Sequence, residues 1–208
     1  MAITTAEIAR FVELFADRIH AAREELTALD SAIGDADHGI NMDRGMTAVR
    51  ELLPGLRDGD AGTLLKQSGM KLISTVGGAS GPLYGTFFLR LGTALAETAE
   101  VTPEQLAAAF KAGLDGVVAR GKAELEDKTM VDAMTPAVAA LQDGAAGSWA
   151  NALAAAAQAA ATGRDKVTPL VARKGRASYL GDRSAGHQDP GATSTTILFE
   201  SLRDALTA

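Results

Sequence analysis

Three aspartates, Asp30, Asp35 and Asp37, fall within the short run Leu29-Asp-Ser-Ala-Ile-Gly-Asp-Ala-Asp-His-Gly39. Carboxylates crowded this closely repel one another unless a cation sits between them. Hard oxygen donors without cysteine suit Mg²⁺, Ca²⁺ or Mn²⁺ rather than zinc or copper. An EF-hand is excluded, because Gly39 stands where a third oxygen ligand belongs and Met46 where the closing glutamate belongs. Three carboxylates are too few to enclose Ca²⁺ but suit Mg²⁺ that also carries phosphate oxygens and water. A plain helix-loop-helix turn, with Asp37 capping the next helix, uses the same residues. The segment alone leaves both readings open.

Other segments add chemistry of the same kind. Gly77-Gly-Ala-Ser-Gly-Pro82 precedes an apolar helical stripe, so its backbone N–H groups and Ser80 are placed to approach a phosphate. Glycine termination of one helix, followed by proline, explains the same residues. Gly116-Val-Val-Ala-Arg-Gly-Lys122 nearly matches a phosphate loop, but Ala123 replaces the required Ser or Thr and no strand precedes it. It is rejected as one. Arg173, Lys174, Arg176 and Arg183 form the densest basic run, among glycines and ahead of Gly186-His-Gln-Asp-Pro-Gly-Ala-Thr-Ser194. A solvated, mobile loop is the ordinary explanation; guanidinium groups facing a polyphosphate are the functional one. His20 falls on a helical stripe and reads as structural or exposed.

The elements that must position these residues are helices. Ile8, Phe11, Val12, Phe15, Ile19, Ala22, Leu26 and Leu29 form one stripe. A second carries Met42, Met46, Val49, Leu53 and Leu56 and stops at Gly59; a third runs from Leu64 to Val76 and stops at Gly77-Gly78. Tyr84, Phe87, Phe88, Leu91 and Leu95 mark the fourth, and Thr102-Pro103-Glu104-Gln105 opens the fifth. The sixth covers about Thr129 to Leu141. The seventh starts near Ser148 and is expected to reach Arg173, with Pro169 kinking or dividing it. The last spans about Gly191 to Ala205. Residues 1–208 thus read as one all-α domain, an antiparallel eight-helix bundle or barrel. The polar, glycine-rich segments follow helices one, three, five and seven. In an up-and-down bundle such alternate loops share one end, where helix N-termini favour an anion.

Composition narrows the class. The 208 residues are 47% apolar and 22% charged, ordinary for a globular chain. Without cysteine there is no disulfide, thiolate metal site or cysteine nucleophile. A net charge of −6 argues against nucleic acid as a partner. No secretion signal or membrane span is visible, so a cytoplasmic address is expected.

Together the segments resemble the nucleotide-binding L subunits of the phosphotransferase-system-dependent dihydroxyacetone kinases. The aspartate run, Gly77-Gly-Ala-Ser-Gly-Pro-Leu-Tyr-Gly-Thr86, Arg120-Gly-Lys-Ala-Glu124, Asp127-Lys-Thr-Met130 and the segment from Arg173 to Ser194 carry the resemblance, in order and over essentially the whole chain. It implies an eight-helix barrel that holds ADP at one end through two Mg²⁺ ions, with Asp30, Asp35 and Asp37 as metal ligands. It assigns nucleotide contacts to His38, Gly39, Ile40, Asn41, Ala79, Ser80, Gly121 and Met130. Arg176, Asp189, Pro190 and Gly191 complete the set. The implied reaction keeps the nucleotide bound. A phosphohistidine on the M subunit of the phosphotransferase system converts ADP to ATP, and the γ-phosphoryl group passes to dihydroxyacetone held on the K subunit, giving glycerone phosphate. No side chain here is covalently modified.

The same family suggests a transcription regulator as a further partner, and a homodimer is an open expectation. Length and the Ala36 form of the motif favour the phosphotransferase-linked type over an ATP-dependent ketose kinase with exchangeable ATP. A phosphocarrier modified on His38 or His187, and an ADP-responsive regulatory protein, are the readings from other classes.

Overall fold

The computed structural model describes residues 2–96, 98 and 100–207. Local sequence fixes most helix starts. Helix α1 (Thr5–Ala21) opens on a reciprocal capping box between Thr4 and Glu7, and α6 (Pro103–Gly121) on one between Thr102 and Gln105 with proline in the first turn. A third box, Thr129 with Asp132, opens α7 (Met130–Gly144). Asp60 caps α4 (Ala61–Thr75), Ser148 caps α8 (Trp149–Val167) and Asp189 caps α9 (Pro190–Leu206). The remaining helices are α2 (Arg23–Ile33), α3 (His38–Arg50) and α5 (Ser80–Ala94). Among the described residues the only β pairing is one antiparallel bridge between Ile3 and Val101.

Two helices differ from their stripes. The first stripe is interrupted at Ala22, whose backbone (φ −89°, ψ 4°) leaves helical geometry. The bend lays α2 across the first turn of α3. There Gly39 is so close that a Cβ would stand 2.1 Å from the Arg23 carbonyl oxygen and 2.4 Å from Thr27 Oγ1. The seventh helix ends at Val167, short of Arg173, because Pro169 brings no N–H and its ring excludes the helical carbonyl behind it. Arg176–Ser184 instead forms a 3₁₀ segment kinked at Gly181, and Leu53–Gly55 is a short 3₁₀ turn beyond α3. The described residues thus contain nine α-helices and two 3₁₀ segments, where eight helices were expected.

Consecutive helices from α3 to α9 pack on one another, and α9 returns to pack on α1, which also packs on α3. Inside lies an aromatic cluster of Phe11, Phe15, Phe87, Phe88, Phe110 and Phe199 with Tyr84, all essentially buried. Its ring centroids stand 5.4 to 6.5 Å apart. Each such side chain contributes roughly 1.5–3 kcal/mol on burial. Because this core sits between the helices, the loops at one end are left to carry the polar chemistry. Among the described residues no helix is long and apolar enough to cross a membrane.

Candidate functional site

Asp30 lies in the last turn of α2, not in the loop, and is 7% exposed. Its Oδ2 accepts hydrogen bonds from the backbone N–H groups of Asp37 (2.8 Å) and His38 (3.0 Å), so it folds the loop back on itself. Gly34 makes room for that carboxylate: a Cβ there would fall 2.0 Å from Asp30 Oδ1. Ala36 adopts a left-handed backbone (φ 61°), which turns the chain so that Asp35 and Asp37 point the same way. One oxygen each from Asp30, Asp35 and Asp37 then lies within 4.8 Å of the others. Asp37 makes no side-chain cap on α3, which removes the capping explanation and leaves its carboxylate available. The donor set, three hard oxygens and nothing soft, fits Mg²⁺.

Two helix starts face the same cleft. Neither α3 nor α5 is capped by its own N-cap residue, and although Asp30 takes the His38 amide that opens α3, both N-termini turn toward the cleft and favour an anion. His38 joins them. One ring nitrogen is 2.9 Å from Ser80 Oγ and the other 2.9 Å from Ser194 Oγ, and Ser194 is in turn 2.7 Å from the Tyr84 hydroxyl. Burial pushes the His38 pKa down to about 4, against a smaller upward pull from Asp30. The ring is therefore neutral at pH 7 and bridges two hydroxyls.

The cleft, about 360 Å³, is lined by Asp30, Asp35, Asp37, His38, Ala79, Ser80, Met130, Arg176, Asp189, Pro190 and Gly191. Those eleven of the fifteen sequence-predicted residues come together, from all four glycine-rich segments. Gly121 lines an adjoining hollow of about 340 Å³ that shares Ala79, Leu83, Thr129, Met130, Lys174 and Gly175 with the cleft. Gly39, Ile40 and Asn41 do not line it: Gly39 is buried under α2, Ile40 is 43% exposed, and Asn41 Oδ1 accepts from Arg44 (2.8 Å). The basic segment is no loose loop. Ala172 and Ala177 pack with Ile33 in a small second core, which brings Arg176 within 2.8 Å of Asp35.

Asp189 accepts from the Ala192 N–H (2.7 Å) as the cap of α9, and burial raises its pKa to about 7, with Asp132 adding to the rise. Lys174 of the basic run also lines the cleft, and the residues missed from sequence are Tyr84, Ser194 and, above all, buried Lys128. Lys128 belongs to the motif Asp127-Lys-Thr-Met130, and a lysine between an aspartate and a helix cap reads as exposed until its carbonyl partners are seen.

The model of the DAK2 domain matches residues 32–204. The chain is 46% identical over 204 residues to the ADP-binding subunit of the PEP-dependent dihydroxyacetone kinase of Escherichia coli strain K12, covering 97% of each chain. It is 40% identical over 192 residues to the corresponding ADP-binding subunit of the PTS-dependent dihydroxyacetone kinase of Lactococcus lactis, covering 92% of this chain and 93% of that one. Among solved structures, it superposes on the dihydroxyacetone kinase of C. freundii in complex with AMP-PNP and Mg²⁺ with a TM-score of 0.76 and 28% identity. That match covers 98% of this chain and 34% of the kinase.

Proposed function

The chain belongs to the DAK2-domain family, alongside the ADP-binding subunits of PEP-dependent dihydroxyacetone kinases, and from this premise we propose how its site works. Residues 1–208 act as one nucleotide-binding domain, an antiparallel barrel in which α1 and α2 serve as a single bent stave among eight. Asp30, Asp35 and Asp37 hold two Mg²⁺ ions, which neutralise the β- and γ-phosphate oxygens of the nucleotide. The amides opening α3 and α5, with Ser80, take the phosphates; Ala79, Met130 and the hollow beside Gly121 take the base and sugar. Arg176 leaves Asp35 to face the transferring group, and Asp189, Pro190 and Gly191 close the wall. Gly39 and Asn41 act through backbone and packing.

The reaction is phosphoryl transfer through resident ADP. A phosphohistidine subunit recharges it to ATP, and the γ-phosphoryl group passes to dihydroxyacetone on a substrate-binding subunit. Exposed Ile40, Leu125, Val171 and Tyr179 ring the same end and supply apolar contacts for docking. The work takes place in the cytoplasm. The observation that carries the proposal is the convergence of three carboxylates beneath an arginine in a cleft onto which two helix N-termini open.

The test is to purify the protein without added nucleotide, denature it and identify what is released. ADP and Mg²⁺ are expected in near-stoichiometric amounts, and Asp35→Asn should abolish their retention with helix content intact. Rapid exchange with ATP-driven turnover would instead make it an ATP-dependent kinase subunit. No adenine nucleotide, even after loading, would sink the reading.

A further inference from the structure

Lys128 is the one buried lysine or arginine among the described residues, at 1% exposed. Its ammonium donates to the carbonyl oxygens of Thr168 (2.8 Å), Leu170 (2.9 Å) and Ser184 (2.6 Å). An ammonium has three donors, so none is left for a ligand. Thr168 and Leu170 lie just beyond the end of α8, and Ser184 ends the 3₁₀ segment. Carbonyls there have no helical partner of their own. One side chain therefore ties both ends of segment 168–184 to a single point.

Neighbouring bonds tighten the knot. Arg173 N–H donates to the Asp127 carbonyl (3.1 Å), Gly186 N–H to that of Thr168 (3.0 Å) and Ala172 N–H to Ser184 Oγ (2.8 Å). The middle of the segment carries Lys174 and Arg176 over the cleft. Lys128 itself has a left-handed backbone (φ 65°), as do Lys122 (φ 50°) and Glu126 (φ 68°) in the same loop. Such residues cost about 1–2 kcal/mol each and persist where surrounding bonds over-determine them. Asp132 does so, accepting from the N–H groups of Glu126 (2.5 Å) and Thr129 (2.8 Å).

We propose that Lys128 is a positioning residue: it binds no phosphate, but clamps segment 168–184 so that Arg176 and Lys174 are held over the nucleotide phosphates. The clamp stands on the hydrogen bonds above; its bearing on phosphates rests on the proposed function.

Nitrogen-15 NMR of lysine ammonium groups, assigned through Lys128→Arg, tests it in the intact protein. One ammonium resonance should be protected from exchange without nucleotide and stay so, without phosphorus coupling, after ADP and Mg²⁺ are added. A resonance protected only on loading, or coupled to phosphorus, would overturn the proposal. In Lys128→Met, exchange of the Ala172, Arg173 and Gly186 amides and release of ADP should each accelerate by about tenfold or more, the effect of losing charged hydrogen bonds. In the reconstituted kinase kcat should fall while KM for the ketone holds, with partial rescue by Lys128→Arg. Unchanged amide protection and ADP release would contradict the clamp, and if Lys128→Met does not fold the ammonium measurement decides. Should the wild-type protein hold no ADP, the proposed function fails, while amide protection still judges the clamp.

Discussion

Asp30 spends one carboxylate oxygen on two backbone amides, and that bond set gives the acidic loop its shape before any metal arrives. Gly34→Ala tests this directly. The added methyl would collide with Asp30 Oδ1, so Mn²⁺ affinity, read by paramagnetic relaxation, should drop by about tenfold or more while the melting temperature moves little. His38 gives the pH dependence. Its pKa is about 4 in the folded chain against 6.5 ordinarily, so between these values the unfolded chain binds the extra proton. Stability from this group is complete above about pH 6.5 and is lost as pH falls toward 4. Chemical denaturation of wild type and His38→Gln should show a stability difference that grows by on the order of 3 kcal/mol from pH 4 to pH 7. A difference independent of pH would contradict the buried, neutral ring. In sequence that ring was legible as a nucleotide contact or a phosphocarrier but not as a buried bridge, because its partners Ser80 and Ser194 come from helices 42 and 156 residues away.

Helix α4 meets α5 through glycines. A Cβ on Gly69 would stand 2.7 Å from the Gly85 carbonyl oxygen, and one on Gly92 would stand 2.5 Å from that of Gly62. Gly92→Leu should therefore cost about 3 kcal/mol or more by forcing backbones apart, seen as a lowered denaturation midpoint. Gly55→Ala, with nothing within 4 Å, should leave the midpoint unchanged. The pairs Gly62/Gly69 and Gly85/Gly92 repeat at seven residues, a signal of close helix crossing present in the sequence. Helix existence was legible because capping residues and 3.6-residue stripes agree, as at Thr102 and Pro103. The break at Ala22 was not, since an unbroken stripe continues through it and the cause is a distant contact between Gly39 and Arg23. The 3₁₀ segment was equally hidden, its order coming from Lys128 and a three-residue core rather than from periodicity.

Across the whole molecule, backbone strain collects at one end. Every described residue with positive φ, from Ala36 and Gly78 through Lys122, Glu126 and Lys128 to Gly175, Gly181 and Gly186, belongs to one of the four segments around the cleft. The opposite end carries none of them. Such a distribution suits a rigid helical frame with one worked face, and the alternation of loops made it foreseeable from chain order alone. The cleft offers no free imidazole to the phosphoryl group: His38 is enclosed between two serines, and His187 does not line the cleft. The direct measurement is a pulse of ³²P from the phosphohistidine donor into the nucleotide-loaded protein, quenched and separated under conditions that preserve acid-labile phosphate. The account predicts that the label leaves the protein on denaturation and migrates as the γ-phosphate of ATP. Label retained on the chain as phosphohistidine would contradict it.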